Sequence, residues 1–289
     1  MKRLALPILV LCTLVALALP AAAQDGDLVQ RWSRPVPPFR ILGNLYYVGT
    51  HEVTAFLLTT HAGHVLLDGG LPETAPMIAA SVEALGFDLA DVEVLLNSHA
   101  HFDHAGGLAE LKERTGARFA AMAEDAEWLR TGHAEFGDFP AVAVDRELHD
   151  GEMVELGGTL LVAHRTAGHT PGCTTWTTTV EDAGKRYDVV FVCSPNALPQ
   201  HRLVDNPGYP GIAADFERTF ETLRALPVDV FLASHGSFFH LEEKRARMAE
   251  GGDGTVFVDP EGYRTFVAAK ERAFHAELER QRAAHAGFQ

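Results

Sequence analysis

Short apolar runs closed by turn-forming residues recur along this chain and set its elements. Leu45 to Val48, Ala55 to Thr60 and His64 to Leu67 read as strands, the last running into the tight turn Asp68, Gly69, Gly70. Helical spacing of apolar residues takes over from Ala75 to Leu85, and Val92 to Leu96 returns to strand. Helices are expected at Leu108 to Thr115 and Glu124 to Arg130, on either side of a strand at Arg118 to Ala121. A loop around Phe136 to Pro140 precedes strands at Met153 to Leu156 and Thr159 to His164. A hairpin follows: β-branched Thr174 to Val180, turn-like Glu181 to Lys185, apolar Tyr187 to Val192. The remainder reads as helix (Ile212 to Leu226), strand (Val230 to Ala233) and two helices (Leu241 to Ala249, Gly262 to Ala284). Each half mixes strands with helices, so the expected class is α/β, a layered sandwich of two sheets covered by helices.

The first residues follow a different pattern. Lys2 and Arg3 precede an apolar stretch from Leu4 to Leu19, then Pro20 and Ala21 to Ala23. This is the form of a secretory signal, residues 1–23, cleaved after Ala23, and too short and wrongly flanked for a retained membrane helix. Cys12 follows Leu11, where a lipoprotein signal wants a small residue, so no lipid anchor is expected. An exported chain points to the periplasm. No composition break or linker divides residues 24–289, which are read as one domain. The formal charge is −15, and removing residues 1–23 takes away two basic and no acidic residues. So acidic a chain is repelled by nucleic acid and by anionic membrane surface, which excludes both as partners; a monomer acting on a small molecule is expected.

Cys173 and Cys193 are too few for a disulfide framework. Both lie ten residues from Ala183, so simple hairpin register brings them near one another. That allows a disulfide in an oxidising compartment; the alternative is two unpaired, buried small hydrophobes.

Candidate chemistry is concentrated in HAHFDH, residues 99 to 104, directly after the strand Val92 to Leu96. Extended backbone alternates its side chains, so His99, His101 and Asp103 project to one side, and a turn near Asp103 brings His104 round. Imidazole nitrogen and carboxylate oxygen are zinc ligands at about 2.0 to 2.2 Å, and the segment can serve two metals. His169 stands in AGHTPG (167 to 172), where glycine and proline force a rigid loop. His235 follows the strand Val230 to Ala233. These six ligands suffice for two zinc ions with open positions. The other histidines, including His51, His61, His64, His164, His201 and His240, have no such company and receive no metal role. Asp68 is either a partner for a ligand histidine's second nitrogen or a turn residue. Tyr209, Trp176 and Phe238 either line a cleft or belong to the core.

HAHFDH followed by AGHTPG and SHG resembles the metallo-β-lactamase fold, an αβ/βα four-layer sandwich of two mixed sheets flanked by helices. That fold also serves glyoxalase II, lactonases, sulfatases and phosphodiesterases, so fold alone does not choose among them. PFRILGNLYYVGT (38–50), LLDGG, GHTPGCTTWT (168–177), NPGYPGIAADFERTF (206–220) and LRALPVDVFLASHGSFF (223–239) together resemble subclass B3 metallo-β-lactamases over nearly all of residues 24–289. Glyoxalase II has a bridging Asp after the strand that here reads VVFVC; this chain has Cys193 and Ser194 instead.

The resemblance implies that His99, His101 and His169 bind a first zinc, and Asp103, His104 and His235 a second. In another lactamase subclass a Cys from the corresponding strand end is a ligand. Here His104 follows Asp103 as in the B3 pattern, and Ser194 aligns with that pattern's serine, which removes Cys193 from the ligand set. B3 enzymes often carry a further serine where Asn196 stands, and a cysteine sometimes found after the late Leu-Pro is Val228 here. Ser194 and Asn196 are the candidate substrate contacts. The implied activity is hydrolysis of the β-lactam amide of penicillins, cephalosporins and carbapenems, with Asp103 orienting a zinc-activated hydroxide, and hence antibiotic resistance. Two other classes stay open: hydrolysis of another ester or lactone, such as an acyl-homoserine lactone, and non-catalytic zinc binding in the periplasm.

Overall fold

A computed structural model describes residues 28–287; the expected signal segment, residues 1–23, lies outside the described residues. Among the described residues, fourteen strands form two mixed sheets and one small hairpin. The first sheet contains β1 (Phe39–Leu42), β2 (Leu45–Tyr47), β3 (Phe56–Thr60), β4 (Gly63–Leu67), β5 (Val92–Leu96), β6 (Arg118–Met122) and β9 (Arg146–Leu148), in that spatial order. β1 to β4 are antiparallel, whereas β4, β5, β6 and β9 are parallel. β7 (His133–Ala134) and β8 (Gly137–Asp138) pair only with each other. The second sheet runs β10 (Met153–Leu156), β11 (Thr159–Arg165), β12 (Thr174–Asp182), β13 (Lys185–Val192), β14 (Val230–Ala233), antiparallel except for its last pair.

Alternation along the central strands builds the layers. Phe56 and Leu58 of β3, Val65 and Leu67 of β4, and Val94 and Leu96 of β5 face the second sheet. Their neighbours Leu57, Leu66 and Leu95 face outward to α1 (Ala75–Ala84) and, after the short α2 (Phe102–Ala105), α3 (Leu108–Thr115). Phe56 meets Phe191 of β13 across the sheets, ring centroids 5.0 Å apart. α4 (Ala126–Thr131) follows β6. α5 (Ile212–Ala225) and the C-terminal α7 (Pro260–Ala286) cover the second sheet with Phe216, Phe220 and Phe274, while α6 (Leu241–Ala249) lies between them in sequence. This is the four-layer metallo-β-lactamase fold. None of the described helices is long and apolar enough to cross a membrane.

The expected strands and helices are present, with additions where apolar pattern is lacking. β9 buries only Leu148 of its three residues, and β7 and β8 bury none, so no alternation marks them. β1 is four residues after Pro37 and Pro38. The hairpin turns at Ala183 and Gly184, both with positive φ, a two-residue loop that favours glycine-like conformations. Its register pairs Asp182 with Lys185, one residue away from a ladder centred on Ala183. Cys173 and Cys193 are therefore diagonal rather than opposed, and they are joined by a disulfide with Cα atoms 6.0 Å apart.

Candidate metal centre

The site lies at the carboxyl ends of β4, β5, β6, β13 and β14 and in the loop between β11 and β12. Extended backbone beyond β5 carries His99 and His101, and there the alternation ends. His101 caps α2, so Asp103 and His104 stand on a helical turn and not on a continued strand. This corrects the expectation that Asp103 projects with His99 and His101. The helical turn sends Asp103 and His104 to a neighbouring position together.

Two sets of ligands result. His99, His101 and His169 enclose one point, with ring centroids 4.7 to 4.8 Å apart. Asp103 Oδ2, His104 Nε2 and His235 Nε2 enclose the other: Asp103 to His104 is 3.2 Å, His104 to His235 3.3 Å, and His235 to Asp103 3.5 Å. A tetrahedral cation bound at about 2.0 to 2.1 Å needs donor separations of about 3.3 to 3.4 Å, so the second set fits zinc as it stands. The first set fits by its chemistry: the buried Nε2 atoms of His99 and His101 have no hydrogen-bond partner, and a buried polar atom without one calls for an ion or water. His99 and His104 rings lie 4.4 Å apart, so the two sets share a wall.

Carboxylates behind the ligands fix their tautomers. Asp68, in left-handed conformation (φ 67°) at the end of β4, accepts the Ser98 amide at 2.6 Å and the Ser98 hydroxyl at 2.8 Å. Ser98 Oγ is 3.0 Å from His99 Nδ1, and Asp68 Oδ2 is 3.3 Å from His104 Nδ1. Asp68 is thus both turn residue and ligand partner. The turn packs tightly, since a Cβ on Gly107 would sit 2.2 Å from the Gly69 carbonyl oxygen. His169 Nδ1 donates to the Asn196 carbonyl at 3.0 Å, turning Nε2 toward its set. Glu52 lies 3.5 Å from His235 Nδ1 and accepts the Ser237 hydroxyl at 2.5 Å. Burial opposes ionisation of Glu52, but those two partners hold it below the ordinary range.

Burial, reinforced by neighbouring imidazoles, keeps His99 and His169 neutral and pushes His101 down to about 3. Burial works against charge on His104 too, yet Asp103 and Asp68 outweigh it and raise His104 to about 10. Asp103 is held below the carboxylate range by His104 despite its own burial. The first set is ready for a cation; the second holds a proton that a cation must displace.

These groups open into a cleft of about 690 Å³. Trp32, Phe136 and Phe238 form apolar walls, with Ser194, Asn196 and Glu52 among the polar ones. Ser194 Oγ is buried without a partner among the described residues. Trp176 is core, donating to the Asn97 carbonyl at 2.9 Å, and Tyr209 binds Asp215. His201, set aside in the sequence, is buried with its ring 5.6 Å from that of His169. Glu52, Asp125 and Trp32 escaped sequence reasoning because no motif surrounds them.

The metallo-beta-lactamase superfamily profile matches residues 48–235, and the chain belongs to that superfamily. Solved structures that it resembles include the FEZ-1 metallo-beta-lactamase from Legionella gormanii, 42% identical, TM-score 0.84, covering 86% of this chain and 98% of that one. BJP-1, a subclass B3 metallo-beta-lactamase of Bradyrhizobium japonicum, is 38% identical with TM-score 0.83 over 89% and 98%. LRA-12, a class B3 di-zinc enzyme from an Alaskan soil metagenome, is 33% identical with TM-score 0.81 over 85% and 96%. Among curated relatives, a probable metallo-hydrolase of Burkholderia pseudomallei is 32% identical over 53% of this chain and 54% of its own length. A hydroxyacylglutathione hydrolase of Rhodopseudomonas palustris is 36% identical over 34% of this chain; the chain spans 32% of that relative's length. The N-acyl homoserine lactonase AttM of Agrobacterium fabrum is 26% identical over 76% and 86%. Membership of that superfamily implies a metal-dependent site, and the His/Asp cluster has the groups for one.

Proposed function

We propose that the chain hydrolyses the amide of β-lactam antibiotics at a two-zinc site and so confers resistance. The supporting observation is likeness to subclass B3 enzymes over almost their full length, against partial or more distant likeness to thioester and lactone hydrolases. His99, His101 and His169 would hold the first zinc, and Asp103, His104 and His235 the second. When bound, two zinc ions supply Lewis acidity toward a carbonyl oxygen and bring the acidity of water to near neutral pH.

The chain's own groups do the rest. Asp103, anionic and buried, accepts a hydrogen bond from the attacking water and aims it at the lactam carbonyl. Ser194 offers an unspent hydroxyl to the substrate carboxylate, with Asn196 beside it. Trp32, Phe136 and Phe238 exclude bulk water and seat apolar substituents. Export to the periplasm belongs to the same reading, supported by the signal-like start and by a disulfide that suits an oxidising compartment.

The test is a parallel assay of nitrocefin, a carbapenem, an acyl-homoserine lactone and a glutathione thioester, with and without chelator, on protein of measured metal content. Chelator-sensitive β-lactam turnover well above the others is expected. Preferential lactone turnover would replace this reading with the lactonase one, and zinc-loaded protein inert on all four would favour zinc binding without catalysis. N-terminal sequencing of periplasmic protein should begin at Gln24.

A further inference from the structure

Asp125 lies beyond β6, just before α4, 1% exposed and away from the cleft. Its Oδ2 accepts the Ala100 amide at 2.9 Å and the Thr170 hydroxyl at 2.7 Å, while Oδ1 accepts the Gly172 amide at 2.6 Å. Ala100 stands between His99 and His101; Thr170 and Gly172 follow His169. One carboxylate therefore ties together the two backbone segments that carry the whole first ligand set. None of these bonds is made to Asp103, His104 or His235 or to their own peptide groups. The approach is close enough to demand glycine: a Cβ on Gly172 would lie 2.6 Å from the Asp125 carboxyl carbon.

We propose that Asp125 is a positioning residue that sets the affinity of the His99, His101, His169 site for its metal, separately from the Asp103, His104, His235 site. Beyond Leu96 the two loops meet through the Thr174 amide on the Ser98 carbonyl at 2.7 Å, and the carboxylate adds three bonds nearer the imidazoles, at Ala100, Thr170 and Gly172. Loss of the clamp lets the three imidazoles drift apart, and a cation must then pay the ordering cost on binding. The inference rests on the two-site reading above.

Each site is tested alone. In a His235→Ala background only the first set is intact, and in a His169→Ala background only the second; zinc affinity is read by competition with a chromophoric chelator. Asp125→Asn should weaken zinc about tenfold to a hundredfold in the first background and leave it unchanged in the second. Asp125→Ala should be worse, and Thr170→Val, which removes one bond and keeps the carboxylate, should be milder in the same direction. Unchanged first-site affinity, or equal loss at both sites, overturns the proposal. If Asp125→Asn does not fold, Thr170→Val decides by the same criterion. Failure of either parent background to bind one zinc would instead indict the two-site reading.

Discussion

His104 is the residue where charge and metal compete most directly. Its folded pKa of about 10 lies above the ordinary 6.5, because Asp103 and Asp68 face it. It keeps its proton through neutral pH and loses it as pH rises through 10. A cation binding there at pH 8 must expel that proton, whereas the neutral His99, His101 and His169 have none to give. Zinc titration in buffers of differing ionisation enthalpy should show about one more proton released on filling the second site than on filling the first. Second-site affinity should rise about tenfold per pH unit up to that value. Asp103→Asn removes the carboxylate that both ligates and aims water, and should lower kcat by about a thousandfold or more; kcat within tenfold of the unsubstituted chain would end that role. At this scale the six ligands were legible because their spacing is dense. Glu52 and Asp125 were not, since each acts on a partner over a hundred or some tens of residues away, through contacts that only the fold creates.

Among elements, the loop from Ala167 to Cys173 is closed by the Thr166 amide on the Cys173 carbonyl and tied by the disulfide to Cys193, the residue after β13. Closing a 20-residue separation should contribute about 3 kcal/mol through the unfolded state. Cys173→Ser with Cys193→Ser should lower unfolding free energy by about that much in chemical denaturation, and leave a protein that still binds zinc. A loss under about 0.5 kcal/mol would show that the bridge does little for stability. The sequence placed these cysteines near one another by symmetry about Ala183; the real two-residue turn shifts the ladder by one and makes the bridge diagonal. The short α2 was hidden for a related reason. A strand-like reading through Asp103 fits the alternation of HAHFD, whereas in the fold the Asp68, Gly69, Gly70 turn packs against Gly107 and bonds back to this helical turn through the Gly69 amide and the His104 carbonyl.

Across the whole molecule, charge and site oppose each other. The full chain carries −15, and among the described residues no lysine or arginine lines the cleft, so an anionic substrate meets repulsion until it reaches the metal site. The Debye length falls from about 30 Å at 0.01 M salt to about 8 Å at 0.15 M; added salt therefore removes the long-range repulsion and leaves short contacts at the site largely intact. For a β-lactam bearing a carboxylate, kcat/KM should rise severalfold over that range while kcat changes little, because approach and not chemistry is being screened. A zwitterionic β-lactam of the same nucleus should show a much flatter profile. If kcat/KM for the anionic substrate fell with salt, attraction by the bound cations would govern approach, and the acidic surface would have no part in selecting the substrate.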